Sequence, residues 1–154
     1  MTIELEHSDC LQYLSTIESN SVDLVIVDPP YFEIIKDSWD NQWDSEEGYL
    51  TWCRQWTAEC FRVLKPGKCF YVWGTTKQDT FLRYKLNVLN SIPGAYYQNW
   101  IIWAYDWGGR TKKKFPRKHE DLLMYSKGKE FPFYTDDIRV PYKMKKNVRA
   151  GAEN

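Results

Sequence analysis

The sequence is poor in the features that mark stapled, secreted or membrane-spanning chains. Its four cysteines, Cys10, Cys53, Cys60 and Cys69, never fall at C-x-x-C spacing. Its two histidines, His7 and His119, are too few and too scattered to complete a conventional zinc site, so neither a disulfide framework nor a metal centre is expected. Apolar runs such as residues 24–27 fall far short of the roughly 20 residues a membrane span needs, and no membrane partner is expected. The opening Met1-Thr2-Ile3-Glu4-Leu5-Glu6 has no basic start followed by an apolar stretch, which argues against a secretory signal and for a cytoplasmic protein. Net charge is also absent, at zero over 154 residues. A chain of this length makes one domain and buries roughly two thirds of its unfolded surface, so it folds without staples.

What is abundant is aromatic surface, 17% of residues including 8 Trp and 11 Tyr, which suits a rigid core or a surface that stacks flat ligands. The zero net charge hides a gradient. Residues 1–65 hold 4 Lys and Arg against 13 Asp and Glu, whereas residues 106–149 hold 13 against 6. A basic end of this kind faces a partner of opposite charge. Within it, Arg110, Lys112, Lys113 and Lys114 are interleaved with Trp107, Phe115 and the pair Gly108-Gly109, a composition equally suited to phosphate contact and to a solvated loop.

The hydrophobic period alternates along the chain. Residues 3–7 read as a strand, 10–17 as a short helix with Leu11, Leu14 and Ile17 on one face, and 23–27 as an apolar strand buried on both faces in a parallel sheet. Residues 46–64 read as a helix, with Tyr49, Trp52, Cys53, Trp56, Cys60 and Val63 at helical spacing before Lys65-Pro66-Gly67 stops it. A strand over 69–73, a helix over 77–90, and strands over 98–104 and 121–125 follow. Strands alternating with helices predict an α/β fold, a sheet flanked by helices. Beyond Glu130 the pattern is weak and basic, and no internal repeat is visible.

Directly after the strand over 23–27 comes Asp28-Pro29-Pro30-Tyr31. Ligands of open α/β sheets bind at the carboxyl ends of strands, so a carboxylate, a rigid turn and a ring stand where a site is expected. The prolines fix φ and donate no backbone hydrogen bond, leaving carbonyls to accept from a ligand. Stiffly held acceptors beside a ring suit an amino group on a flat base; a Pro-rich turn with a solvated Asp and a packed Tyr explains the same four residues.

This segment resembles the catalytic motif of S-adenosylmethionine-dependent DNA amino methyltransferases, specifically the adenine-N6 class. The resemblance extends in order through Ser8-Asp9-Cys10-Leu11, Asn20-Ser21-Val22-Asp23-Leu24 and Trp39-Asp40. It continues through Arg62-Val63-Leu64-Lys65-Pro66-Gly67, Ile101-Ile102-Trp103, and His119-Glu120 up to Lys127-Gly128, covering about residues 3–128. It implies a Rossmann-like methyltransferase sheet, S-adenosylmethionine as cofactor and DNA as partner. It further implies that Asp28, Pro29, Pro30 and Tyr31 are catalytic, and that Asp9, Cys10 and Asp28 meet the cofactor. Arg110, Lys112, Lys113 and Lys114 become candidate DNA contacts. In the permuted, beta-type order of this family a target-recognition region and a Phe-x-Gly-x-Gly cofactor loop follow later, and neither occurs in these 154 residues. The chain therefore resembles the amino-terminal half of such an enzyme. Residues 1–128 would be its catalytic-motif part and 129–154 the start of a recognition or connecting region, with a homodimer or a complementary carboxyl-terminal half as partner. The isolated chain is then expected to be inactive. A non-catalytic assembly module, a cytosine-N4 enzyme and an RNA adenine enzyme are the alternatives.

Overall fold

The computed structural model describes residues 2–34, 42–74, 78–107, 111–113 and 115–141. The expectations for Trp39, Asp40, Gly108, Gly109, Arg110 and Lys114 fall outside the described residues.

Asp9 opens helix α1 (Cys10–Thr16), its Oδ1 accepting from the backbone N–H groups of Leu11 at 2.9 Å and Gln12 at 3.1 Å. The chain then enters β1 (Val22–Val27) and later α2 (Glu46–Val63), whose start is capped by Ser45 Oγ accepting from Gly48 N–H. Helix α2 passes directly into β2 (Leu64–Trp73). Helix α3 (Gln78–Arg83) runs on into a π turn (Tyr84–Val88) and a 3-10 turn (Leu89–Ser91). The long strands β3 (Ala95–Ala104) and β4 (His119–Lys127) follow, and a single turn, α4 (Thr135–Ile138), comes last.

The sheet order is β1-β2-β4-β3. Strands β1 and β2 are parallel, and β4 is antiparallel to both of its neighbours. Helices α2 and α3 lie over one face, where Cys53, Trp56 and Phe61 meet Phe70, Val72, Leu123 and Tyr125 in a single core. Each large side chain buried there contributes roughly 1.5–3 kcal/mol. The one hydroxyl pair inside it is satisfied, Thr57 Oγ1 and Tyr84 Oη standing 2.9 Å apart.

The junction of α2 with β2 organises the amino-terminal part. Arg62 donates through its terminal nitrogens to the Leu14 carbonyl (2.7 Å), the Ile17 carbonyl and Ser19 Oγ (both 2.9 Å), and through Nε to Glu59 (2.8 Å). It thereby adds a second donor to the Leu14 carbonyl, which also accepts from Ile17 N–H at 3.1 Å, and supplies one to the Ile17 carbonyl just past the end of α1. Lys127 Nζ reaches the Leu64 carbonyl (2.7 Å) and Asn20 Oδ1 (2.7 Å), tying β4 to the same corner. Between Leu64 and Cys69 the strand bulges, with Gly67 at φ +72°, a backbone conformation that side chains with a Cβ rarely adopt. Lys65 and Lys68, at the two ends of the bulge, both reach Asp23 and hold its carboxyl below the usual range.

Several boundaries depart from the sequence reading. Residues 3–7 form no strand, and no described strand pairs with them; Leu5 is 92% exposed. The strand β1 is buried on one face only, Val25 and Val27 packing on the core while Leu24 and Ile26 remain 50% and 63% exposed. Both ends of β4 extend further than expected because the polar His119 and Glu120 pair with Ala104 and Trp103, and Ser126 and Lys127 with Tyr96 and Ala95. The expected helix over 77–90 breaks into three kinds of turn. No helix among the described residues is long and apolar enough to cross a membrane.

Candidate active site

The parallel register of β1 on β2 brings Asp28 out at the carboxyl edge of the sheet, one residue past Val27. The start of α1 lies across from it. Together they bound a cleft of about 520 Å³, with Asp9, Cys10 and Tyr13 on one wall, Asp28, Pro29 and Pro30 on another, and Trp52 contributed by α2. Residues 19 positions apart in sequence, Asp9 and Asp28, thus face one cavity, and the expected cofactor-binding set Asp9, Cys10 and Asp28 is assembled in it. Asp9 serves here as a helix cap and as cleft lining, since only its Oδ1 is engaged by the two backbone donors of α1. Burial, and then the neighbouring Asp9 carboxylate, push the Cys10 thiol up from its ordinary range.

The motif itself is braced from the core side. Tyr49, 4% exposed on α2, donates its hydroxyl to the Pro30 carbonyl at 3.2 Å. A buried tyrosine needs such a partner, and this one fixes the turn. Of the two proline carbonyls expected to stay open, Pro30's is therefore taken, while Pro29 lines the cleft. Tyr31 donates its hydroxyl to Asp28 Oδ1. Its ring borders a small separate recess with Pro29, Tyr49 and Phe81, not the large cleft. Helical spacing in the sequence put Tyr49 and Trp52 on one stripe of a helix and named neither as a site residue; the signal for Tyr49 was its hydroxyl, which a purely apolar position has no use for.

Past β2, Gly74 N–H donates to the Asp121 carbonyl at 2.7 Å, and a Cβ at Gly74 would collide with the ring of Phe81. The Asp121 carboxylate is buried and satisfied by Trp100 Nε1 (2.8 Å) and Arg117 (3.0 Å). This network holds the start of β4 against the end of β2, at the same edge of the sheet as Asp28. The connection from β3 to β4 starts and ends at that edge and carries Lys112 and Lys113, both exposed, two of the four expected DNA contacts.

Comparison with known proteins identifies the family. A family model described as DNA methylase matches residues 22–152. The Type II methyltransferase M.HpaI of Haemophilus parainfluenzae is 38% identical over 145 residues, 92% of this chain and 44% of its own length. The DNA adenine methyltransferase YhdJ of Escherichia coli (strain K12) is 32% identical over 144 residues, 89% of this chain and 46% of its own. The chain thus spans a little under half the length of these curated relatives. Among solved structures, the cytosine-N4-specific PvuII DNA methyltransferase superposes with a TM-score of 0.63 over 80% of this chain and 49% of that one, at 17% identity, a likeness of fold. Solved methylases of the same fold include complexes with S-adenosylmethionine.

Proposed function

This chain belongs to the DNA methylase family, and from that membership we propose that it carries the catalytic-motif half of an S-adenosylmethionine-dependent DNA adenine-N6 methyltransferase. The observation that carries the reading is the single cleft joining Asp9 to Asp28, Pro29 and Pro30. In this reading residues 1–128 form the catalytic part and 129–154 lead toward target recognition.

The lining fits the adenosyl end of the cofactor: a carboxylate at Asp9 for polar groups and the rings of Tyr13 and Trp52 for a flat base. When bound, S-adenosylmethionine supplies an electrophilic methyl. The protein's task is to make a poor nucleophile adequate, because the lone pair of an exocyclic amino group is delocalised into its ring. The Asp28 carboxylate and the Pro29 carbonyl accept the two N–H bonds and concentrate density on nitrogen. Positioning and fixed dipoles do this without a strong base. The target base leaves the duplex to reach the edge of the sheet, and Tyr31 exchanges its bond to Asp28 for a stacking role against that base. Lys112 and Lys113, with Arg110 and Lys114, take phosphates.

The remaining wall is supplied by a complementary carboxyl-terminal half, for which the half-exposed Leu24 and Ile26 of the edge strand β1 offer a docking face. The test is transfer of a labelled methyl group to DNA, followed by hydrolysis and identification of the modified base. The expected result is no transfer by the 154-residue chain alone, and N6-methyladenine once the carboxyl-terminal half of a relative is added. Recovery of N4-methylcytosine would move the target to cytosine, the base named for the PvuII enzyme. Silence in both cases would favour a non-catalytic assembly module.

A further inference from the structure

Where the ladder of β3 and β4 ends, the chain builds a second aromatic feature that the methyl-transfer chemistry does not use. Tyr105 continues the ladder by one hydrogen bond, its N–H donating to the Lys118 carbonyl at 3.0 Å. Its hydroxyl donates to Glu120 Oε1 at 3.1 Å, so the ring is fixed at both ends. The ring of Trp107 lies on it, centroids 4.5 Å apart and planes within 19°. Lys118 Nζ clamps the turn between them, donating to the Asp106 and Trp107 carbonyls, each at 2.9 Å. Among the described residues, Tyr105 is the ring that Trp107 stacks on, and Trp107 is 74% exposed. A large apolar ring held that rigidly in water is costly unless something covers its other face.

Position and charge indicate what that something is. Since β1 and β2 run parallel and β4 runs against them, the paired Ala104 and His119 lie at the same edge of the sheet as Asp28. Three strand spacings separate β1 from β3 in the sheet order, a lateral offset of about 14 Å and the span of a few nucleotides. Lys112 and Lys113 are exposed on the same connection, which also carries Asp106. A planar aromatic face on a connection that also carries exposed cations has the composition of a base-stacking surface rather than of a protein-docking patch.

We propose that the outward face of Trp107 is a stacking platform for an unpaired nucleobase, with Lys112 and Lys113 taking the adjoining phosphates. This rests on the reading that the chain acts on nucleic acid, but it assigns a ring and a ligand class independent of Asp28. Tyr105 is the backing that keeps the platform flat, and Lys118 is the clamp that sets its tilt.

The experiment titrates the 154-residue chain at low salt with a single-stranded oligonucleotide carrying one 2-aminopurine, following its fluorescence. Stacking is expected to quench the emission on binding. Trp107→Leu should abolish the quench and weaken binding about 10-fold, with an unchanged circular dichroism spectrum because the ring is exposed. Trp107→Phe should restore most of both. Lys112→Ala with Lys113→Ala should weaken binding and flatten its salt dependence yet leave full quenching at saturation. Unaltered quenching and affinity in Trp107→Leu would overturn the platform, as would Trp107→Phe failing as badly as Trp107→Leu, or a wild-type chain that ignores the oligonucleotide. None of these outcomes touches the methyl-transfer reading, which stands or falls on the modified base recovered from DNA.

Discussion

The two faces of the sheet differ in what they are for. On the helix-covered face, Phe70, Val72, Leu123 and Tyr125 are fully excluded from water. On the other, Leu24, Ile26 and Trp103 are each at least half exposed, and Trp103 has Trp73 as its edge-on neighbour at 5.9 Å. Both faces are apolar, so composition alone does not separate them; coverage does. Among the described residues the first face carries most of the core, and the second, though Met124 is buried there, is left open along β1 for another element to cover.

The largest expected effect tests that division. Phe70→Ala should cost about 3–5 kcal/mol in urea unfolding, while Ile26→Ala, on the neighbouring strand but the bare face, should stay within about 0.5 kcal/mol. Equal losses would break the comparison. Next in size is the site between the faces: Asp28→Ala in the reconstituted enzyme should lower methyl transfer about 10²-fold or more while cofactor affinity moves only a few-fold, as steady-state and binding assays would show. Near-normal turnover would remove Asp28 from the mechanism.

The covered face should also set the response to alkali. Burial pushes the Cys53 and Cys60 thiols up to about 12, against 9.0 for a free thiol. Their neutral form is favoured in the fold, so above pH 9 the unfolded chain loses protons that the folded chain keeps. Stability from these two groups is therefore full below pH 9 and declines as pH rises toward 12, by about 1.4 kcal/mol per pH unit for each thiol. Replacing Cys53 with Ala should flatten part of that slope in unfolding curves measured between pH 8 and 11 on either variant. The smallest effect sharpens the bare face. Ile26→Asp should leave the isolated chain's unfolding nearly unchanged yet weaken its association with a complementary half, read by sedimentation; unimpaired association would place the docking face elsewhere.

Much of the covered face was legible beforehand. The spacing of Tyr49, Cys53, Trp56 and Cys60 specifies a helix with one buried stripe, and Asp28-Pro29-Pro30-Tyr31 at a strand end specifies a site. The bare face was not, because the run Leu24-Val25-Ile26-Val27 is the same string whether one side or both are covered. What covers a strand is a property of its neighbours, not of its own residues. His119 and Glu120 read as loop for a similar reason: their pairing with Ala104 and Trp103 is a long-range choice that outweighs local polarity. Within the site, Asp9 and Asp28 were legible one by one, but the bond from Tyr49 to Pro30 depends on the packing of α2 against the turn, and no spacing rule reports it.

Helix α1 has only seven residues, fewer than an isolated helix needs to persist in water. Its beginning is secured locally by Asp9, but its end is secured by Arg62, some 45 positions away, through the Leu14 and Ile17 carbonyls. One wall of the cleft therefore leans on the α2–β2 corner, and its local stability is expected to follow that corner's. Amide hydrogens of residues 12–16 should exchange faster than those of α2, and a ligand settling against Asp9 would register there first, as slowed exchange in a helix whose survival is decided at its far end.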